Sequence, residues 1–122
     1  MGDLLSKPRM LFLDDEEWRH DFARKLYGRK YDLFQPHGLD QFRACLRRER
    51  FEVMSLDHDL GDDRAGTGMD AVNEICALPQ DKRPSIVIVH SWNVPASMRM
   101  VTALTVAGFR VHRKPFSAKE SA

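Results

Sequence analysis

The sequence predicts an α/β fold built on a parallel sheet, and two observations carry that expectation. Five short apolar segments alternate with four segments of helical periodicity, the order that gives parallel strands joined by right-handed crossovers. Three of the apolar segments also end in polar clusters. Arg9-Met10-Leu11-Phe12-Leu13 runs into Asp14-Asp15-Glu16-Glu17, Phe51-Glu52-Val53-Met54-Ser55-Leu56 into Asp57-His58-Asp59, and Ser85-Ile86-Val87-Ile88-Val89 into His90-Ser91-Trp92-Asn93. Ligands of open α/β sheets bind beyond the C-terminal strand edge. Parallel pairing would therefore bring Asp14, Asp15, Asp57 and the His90-Ser91 pair to one rim.

Taken in order, the first strand spans 9–13 after a loose lead-in. Asp14 or Asp15 is placed to cap a helix in which Trp18, Phe22 and Leu26 recur every four residues and face inward, and Gly28 ends it. A short strand over 31–34 is closed by Gln35-Pro36-His37-Gly38. The next helix spans 39–50 with Leu39, Phe42 and Leu46 inward. Arg43, Arg47, Arg48 and Arg50 form its outer side, read as a solvated face rather than a nucleic-acid patch. Strand three spans 51–56 and leads into a glycine-rich loop holding Asp62 and Asp63. A helix over 69–78 stops at Pro79. Strand four, 85–89, is apolar throughout, as a central parallel strand should be. Pro95 suits the first turn of a helix running through Met98, Val101 and Leu104 to Gly108. Strand five spans 109–112 and leads into Arg113-Lys114-Pro115-Phe116.

The 122 residues suffice for one domain with one core, and no linker or repeat divides them, so 1–122 reads as a single domain with its core over 9–116. Nineteen basic and 18 acidic residues nearly cancel, so net charge selects no partner. There is no membrane-spanning apolar run and no signal-peptide pattern, which points to a cytoplasmic protein. Met1-Gly2-Asp3-Leu4-Leu5-Ser6 meets the loose myristoylation pattern, but the match is short and acidic, and it carries no weight. Cys45 and Cys76 lie far apart on apolar helix faces and read as buried free thiols.

The rim dictates the chemistry. Carboxylates about 4 Å apart repel by roughly 4 kcal/mol per pair at an effective dielectric of 20. A fold tolerates that only with a compensating cation or proton. A hard divalent ion suits oxygen ligands, and Mg²⁺ usually arrives with a phosphate. Lys114, at the end of strand five, is placed to hold a phosphate oxygen, and the Ser91 hydroxyl to donate to the same group. Asp57 suits either a metal ligand or a nucleophile.

Leu11-Phe12-Leu13-Asp14-Asp15-Glu16, Leu56-Asp57-His58-Asp59-Leu60, Gly68-Met69-Asp70 and Lys114-Pro115-Phe116 resemble the receiver domain of two-component response regulators over roughly 9–116. The resemblance implies a flavodoxin-like three-layer sandwich with a five-stranded parallel sheet in the order 2-1-3-4-5. It implies metal ligation by Asp14, Asp15, Asp57 and the backbone carbonyl of Asp59, and phosphate contacts from Ser91 and Lys114. It also implies phosphorylation of Asp57, and a Lys-Pro peptide that is commonly cis. The sequence departs from ordinary receivers in its Asp57-His58-Asp59 triplet, in His90 ahead of Ser91, in a longer loop after Asp57, and in a final helix that is missing or shortened. Either His90 or Ser91 fills the receiver's hydroxyl position. Leu-Asp-His-Asp-Leu with His90-Ser91-Trp92-Asn93 is similar to an offshoot, the cyclic-phosphate-processing receiver, which adds Asn93 to the phosphate contacts.

The resemblance admits two functions. The preferred one is a metal-dependent phosphoesterase acting on a cyclic phosphate, on a small molecule or an RNA end. His58 and His90 would then serve as acid and base beside Asp57 and Lys114. Its cofactor would be Mg²⁺ or Mn²⁺, or Zn²⁺ if a histidine is a ligand. The alternative is a stand-alone receiver phosphorylated on Asp57 in a phosphorelay, with a histidine kinase as partner. A degenerate receiver serving only as a binding module fits less well, because Asp57 and Lys114 are retained. His20, His37 and His112 read as surface residues or as supports behind the site. Without a final helix, one side of strand five is under-covered, which predicts a homodimer or another partner over Val111 and Phe116.

Overall fold

In a computed structural model, which describes residues 6–61 and 66–116, five parallel strands form one sheet in the order β2-β1-β3-β4-β5. The strands are β1 (Arg9–Leu13), β2 (Asp32–Phe34), β3 (Val53–Leu56), β4 (Ile86–Val89) and β5 (Arg110–Arg113). The helices are α1 (Glu17–Tyr27), α2 (Leu39–Arg48), α3 (Gly68–Cys76) and α4 (Val94–Val106). This is the expected flavodoxin-like order. The myristoylation-like N-terminus over 1–5, Asp62 and Asp63 lie outside the described residues.

Strand periodicity sorts side chains to the two faces. Leu11, Leu13, Met54, Leu56, Val87 and Val89 join Phe42, Val72, Ile75, Met100 and Leu104 in the larger core, beneath α2, α3 and α4. Met10, Phe12, Val53 and Ile88 face the other way, toward Ala23, Trp18 and Phe22 of α1. No helix follows β5 among the described residues, so α1 alone covers that second face. Phe116 folds back over part of the gap. Its ring meets those of Phe12, Trp18, Phe22 and His90 edge-on, with centroids 6.1, 5.8, 5.4 and 5.4 Å away. Beside it a cleft of about 320 Å³ remains, bordered by Phe22, Ile88, Ser55 and Lys114.

The structure corrects several expectations. Val111 and Phe116 do not form one exposed patch. Phe116 is buried in the second core, while Val111, one residue out of phase with the Phe116 face, packs on the first. Leu26 is half exposed, because a spacing of four drifts off a helix face that advances 3.6 residues per turn, and Met98 is half exposed as well. Met100 takes the inward place on α4. Cys45 and Cys76 are only partly buried. Neither Asp14 nor Asp15 caps α1. The capping position is Glu16, without a side-chain bond, and Asp14 Oδ1 instead accepts from the Glu16 amide at 2.8 Å. The Lys114–Pro115 peptide is trans, the lower-energy isomer, against the cis form the resemblance implied.

Phe116 is one of the few groups sealing the thinly covered face. Phe116→Ala is expected to destabilise the protein by about 3 kcal/mol, the usual cost of removing a buried phenyl ring. Urea denaturation checks this, and a loss below about 1 kcal/mol would mean that the face is sealed without the ring.

Candidate functional site

The sheet register builds the site. Leu13, Leu56, Val89 and Arg113 form the last rung. The next amides continue the ladder, Asp57 N–H to Leu13 O (3.0 Å), His90 N–H to Leu56 O (3.0 Å) and Lys114 N–H to Val89 O (2.9 Å). Asp14, Asp57, His90 and Lys114 are thereby set in a row just beyond the strand ends. Gly68 comes so close to the end of β3 that a Cβ on it would lie 2.0 Å from the Asp57 carbonyl oxygen. Asp70, in the same Gly-Met-Asp motif, completes a capping box with Thr67 that starts α3 at this point.

Asp14, Asp57 and His90 converge. Each offers a ligand atom within 4.8 Å of the others, and all three are buried. Asp14 is fully buried. Its Oδ2 accepts from His90 Nε2 at 2.8 Å, and its backbone carbonyl accepts from His20 Nε2 at 2.7 Å. Burial pushes the Asp14 carboxyl up, but His90, the Glu16 amide and Arg19 outweigh it and hold the group below its ordinary value. Burial lowers His90, so the ring is neutral beside an ionised Asp14. An ionised carboxylate only accepts, which puts the proton on Nε2 and makes Nδ1 the acceptor for the Ser55 hydroxyl, 2.7 Å away. The ring stacks on Phe12 with centroids 4.5 Å apart.

Asp57 is less well compensated. Its Oδ1 accepts from the His58 amide at 2.9 Å and its Oδ2 from Arg19 at 3.3 Å. Burial and the charge of Asp14 push its carboxyl up to about 7. Asp15 is half buried, and burial and then Asp14 raise it too. Its Oδ2 lies over Gly61, 3.3 Å from where a Cβ would stand.

Not every expected residue joins this group. Strand phase turns His90 toward Asp14 and sends Ser91 the other way. The Ser91 hydroxyl accepts from the Asn93 amide, and Asn93 caps α4 through a bond to the Ala96 amide. His58 sits at the rim with Nδ1 2.8 Å from Asp59 Oδ1, and Asp59 is exposed. Lys114 is exposed and borders the cleft on the second face; the cation beside Asp57 is Arg19. His20 takes the second of its two expected places, fully buried as a support behind Asp14, while His37 stacks on it with centroids 4.0 Å apart and pairs with Glu17. His112 is exposed. Sequence reasoning passed over Arg19. The signal for it was that a buried acid pair needs a cation and that α1 offers one a turn beyond Asp14-Asp15.

The model of cyclic-phosphate-processing receiver domains matches residues 9–106. The chain belongs to this receiver family. No curated protein matches it. Among solved structures it is similar to a response regulator from Burkholderia pseudomallei, crystallised with a phosphorylated aspartic acid, a calcium ion and citrate (26% identity, TM-score 0.67). That match covers 94% of this chain but only 64% of the other. The non-phosphorylated HemR receiver domain from Leptospira biflexa matches at 24% identity and TM-score 0.68, covering 94% and 88% of the two chains. A CheY-like receiver domain from Methanospirillum hungatei matches at 18% identity and TM-score 0.67, covering 95% and 88%. No helix among the described residues is long and apolar enough to cross a membrane.

The electrostatics fix a pH dependence. Because the Asp57 carboxyl rises from 3.8 to about 7 on folding, its protonation favours the folded state fully below the unfolded value. That contribution is lost as pH rises through about 7. His90 and His20, both lowered by burial, act oppositely and lose stability as pH falls below 6.5. Asp57→Asn in EDTA should therefore gain stability over the native chain as pH rises from about 6 to 8, reaching on the order of 2 kcal/mol. Thermal melting across that range checks the trend, and a pH-independent difference would refute it.

Proposed function

We propose that this receiver is a divalent-metal phosphoesterase that opens cyclic phosphates. The observation that supports this most is that a histidine, His90, stands in the strand-end row beside Asp57 and is bonded to Asp14. The carboxylates of Asp14 and Asp57 fit a hard ion such as Mg²⁺ or Mn²⁺, with Asp15, outside their close cluster, as a further holder; His90 would become a ligand, and favour Zn²⁺, only by giving up one of its bonds to Asp14 and Ser55. Bound there, the ion would neutralise phosphate charge and activate a water.

The chain's own groups divide the remaining work. His58, at the rim, is oriented by Asp59 through Nδ1, which leaves Nε2 to take a proton from the attacking water or to give one to the leaving oxygen. His90, with both ring nitrogens engaged by Asp14 and Ser55, holds Asp14 charged and in place. Asp57 serves as ligand. Ser91, whose hydroxyl proton is free to donate, Asn93 through its side-chain amide N–H, and the exposed Lys114 would supply the phosphate contacts that the resemblance implies.

One observation favours the second reading, a receiver phosphorylated on Asp57 by a histidine kinase. Asp57 occupies the strand end of a fold whose Burkholderia relative carries a phosphorylated aspartic acid.

Two experiments separate the readings. Melting in Mg²⁺, Mn²⁺ or EDTA should show stabilisation of about 2.7 kcal/mol at a hundredfold excess of metal over its dissociation constant, mostly lost in Asp15→Asn. Identical melting in all three would remove the metal site. A 2′,3′-cyclic nucleotide offered with Mn²⁺ should be opened, and His58→Ala should slow the reaction by roughly 10²–10⁴-fold. Phosphorylation of Asp57 by acetyl phosphate, with no cyclic-phosphate turnover, would instead establish the signalling reading.

A further inference from the structure

Arg19 holds the one guanidinium that reaches both buried carboxylates among the described residues. Its NH1 group lies 3.3 Å from Asp14 Oδ1, 3.4 Å from Asp14 Oδ2 and 3.3 Å from Asp57 Oδ2. One nitrogen serves both acids, at distances beyond the 2.7–2.9 Å of strong charge-assisted bonds and without the bidentate fork that makes arginine–carboxylate pairs tight. The contact compensates charge but is poorly formed. Its side chain is 19% exposed, against 0% and 4% for Asp14 and Asp57, so it enters the site from the solvent side.

The guanidinium also lies 5.1 Å from the Trp18 ring centroid and 5.9 Å from that of Trp92. These are the only two tryptophans in the chain. Trp92 is 45% exposed at the site mouth. The two rings give the guanidinium a lateral resting place, because cation–π attraction continues when the group slides off the carboxylates.

We propose that Arg19 is an internal counter-cation, which occupies the carboxylate pair in the metal-free protein, is displaced by a divalent ion, and then grips the phosphate bound to that ion. The inference rests on the metal–phosphate reading above and deepens it. Two cations cannot share the space between Asp14 and Asp57, so metal binding and the Arg19 contacts exclude one another. Once released, the planar guanidinium stays at the mouth, where it can bind phosphate oxygens bidentately.

The test reads binding rather than turnover. Mn²⁺ is titrated by calorimetry and tryptophan fluorescence at about pH 8, above the Asp57 value of about 7, and orthophosphate is then titrated into the Mn²⁺-saturated protein. Arg19→Gln should bind Mn²⁺ roughly tenfold more tightly than the native chain, since its competitor is gone, and orthophosphate at least about tenfold more weakly. Mn²⁺ should change tryptophan fluorescence in the native chain and much less in Arg19→Gln. Arg19→Lys, which keeps the charge, should recover part of the phosphate affinity. Mn²⁺ affinity that is unchanged or weaker in Arg19→Gln, or undiminished phosphate affinity, overturns the proposal while leaving the metal site intact. Absence of Mn²⁺ binding in every version overturns both. Binding as expected without cyclic-phosphate turnover supports the role of Arg19 and defeats only the activity proposed for the site.

Discussion

Two carboxylates, Asp14 and Asp57, are buried side by side where β1 and β3 end, and the rest of the rim is arranged around their repulsion. At the spacing of neighbouring strands the pair costs several kcal/mol unless a cation or proton intervenes. The structure treats the two acids differently. Asp14 receives a neutral imidazole, a backbone amide and a guanidinium, and stays charged. Asp57 receives one amide and a share of the same guanidinium, and its carboxyl drifts to near neutrality. The asymmetry follows from position. Asp14 lies between the start of α1 and the end of β4, within reach of Glu16, Arg19 and His90, whereas among the described residues Asp57 has only His58 and Arg19.

The uneven cover of the sheet reaches the site through strand phase. Residues at alternate positions share a face, so Asp14 and His90 continue the columns of Phe12, Ser55 and Ile88, the face that α1 and Phe116 cover among the described residues. His90 therefore stacks on Phe12, meets Phe116 at its edge and takes Ser55 as hydrogen-bond donor. The polar centre and the smaller core are one continuous packing unit. A gap in that core would loosen the ring that holds Asp14. On the other face the large apolar cluster anchors β3 and β4, and Gly68 admits the close approach of α3 to the Asp57 backbone.

Strand order and the gathering of Asp14, Asp57 and the His90-Ser91 pair at one rim were legible because they rest on chain order, which survives any detail of side-chain packing; that His90 rather than Ser91 turns toward Asp14 was not. What was not legible depends on side chains that reach across elements. Arg19 lies on a helix, and its tie to Asp57 spans 38 positions, so no local pattern announces it. His20 reads as a polar position on α1. It is buried because Gln35, beyond β2, satisfies its second nitrogen and its backbone carbonyl. Lys114 follows the motif in sequence and in register, and its exposure beside the cleft is a feature that spacing does not encode. The fate of Phe116 turned on the same point. The segment reads as an exposed edge in sequence, yet the Phe116 ring packs onto the α1 side of the sheet.

The two histidines show how one residue type takes different roles from its surroundings. Both follow strand ends, and both are paired with an aspartate at 2.8 Å. His90 is nearly fully buried, and both of its nitrogens are satisfied. A proton added to its ring would have to reverse the Ser55 bond and place charge in a medium that disfavours it, so its contribution is orientation and field. His58 has an exposed aspartate on Nδ1 and side-chain exposure of 14%, leaving its second nitrogen as the group able to exchange protons with solvent. On the proposed reading, the rim pair is suited to moving a proton and the buried pair to keeping Asp14 ionised.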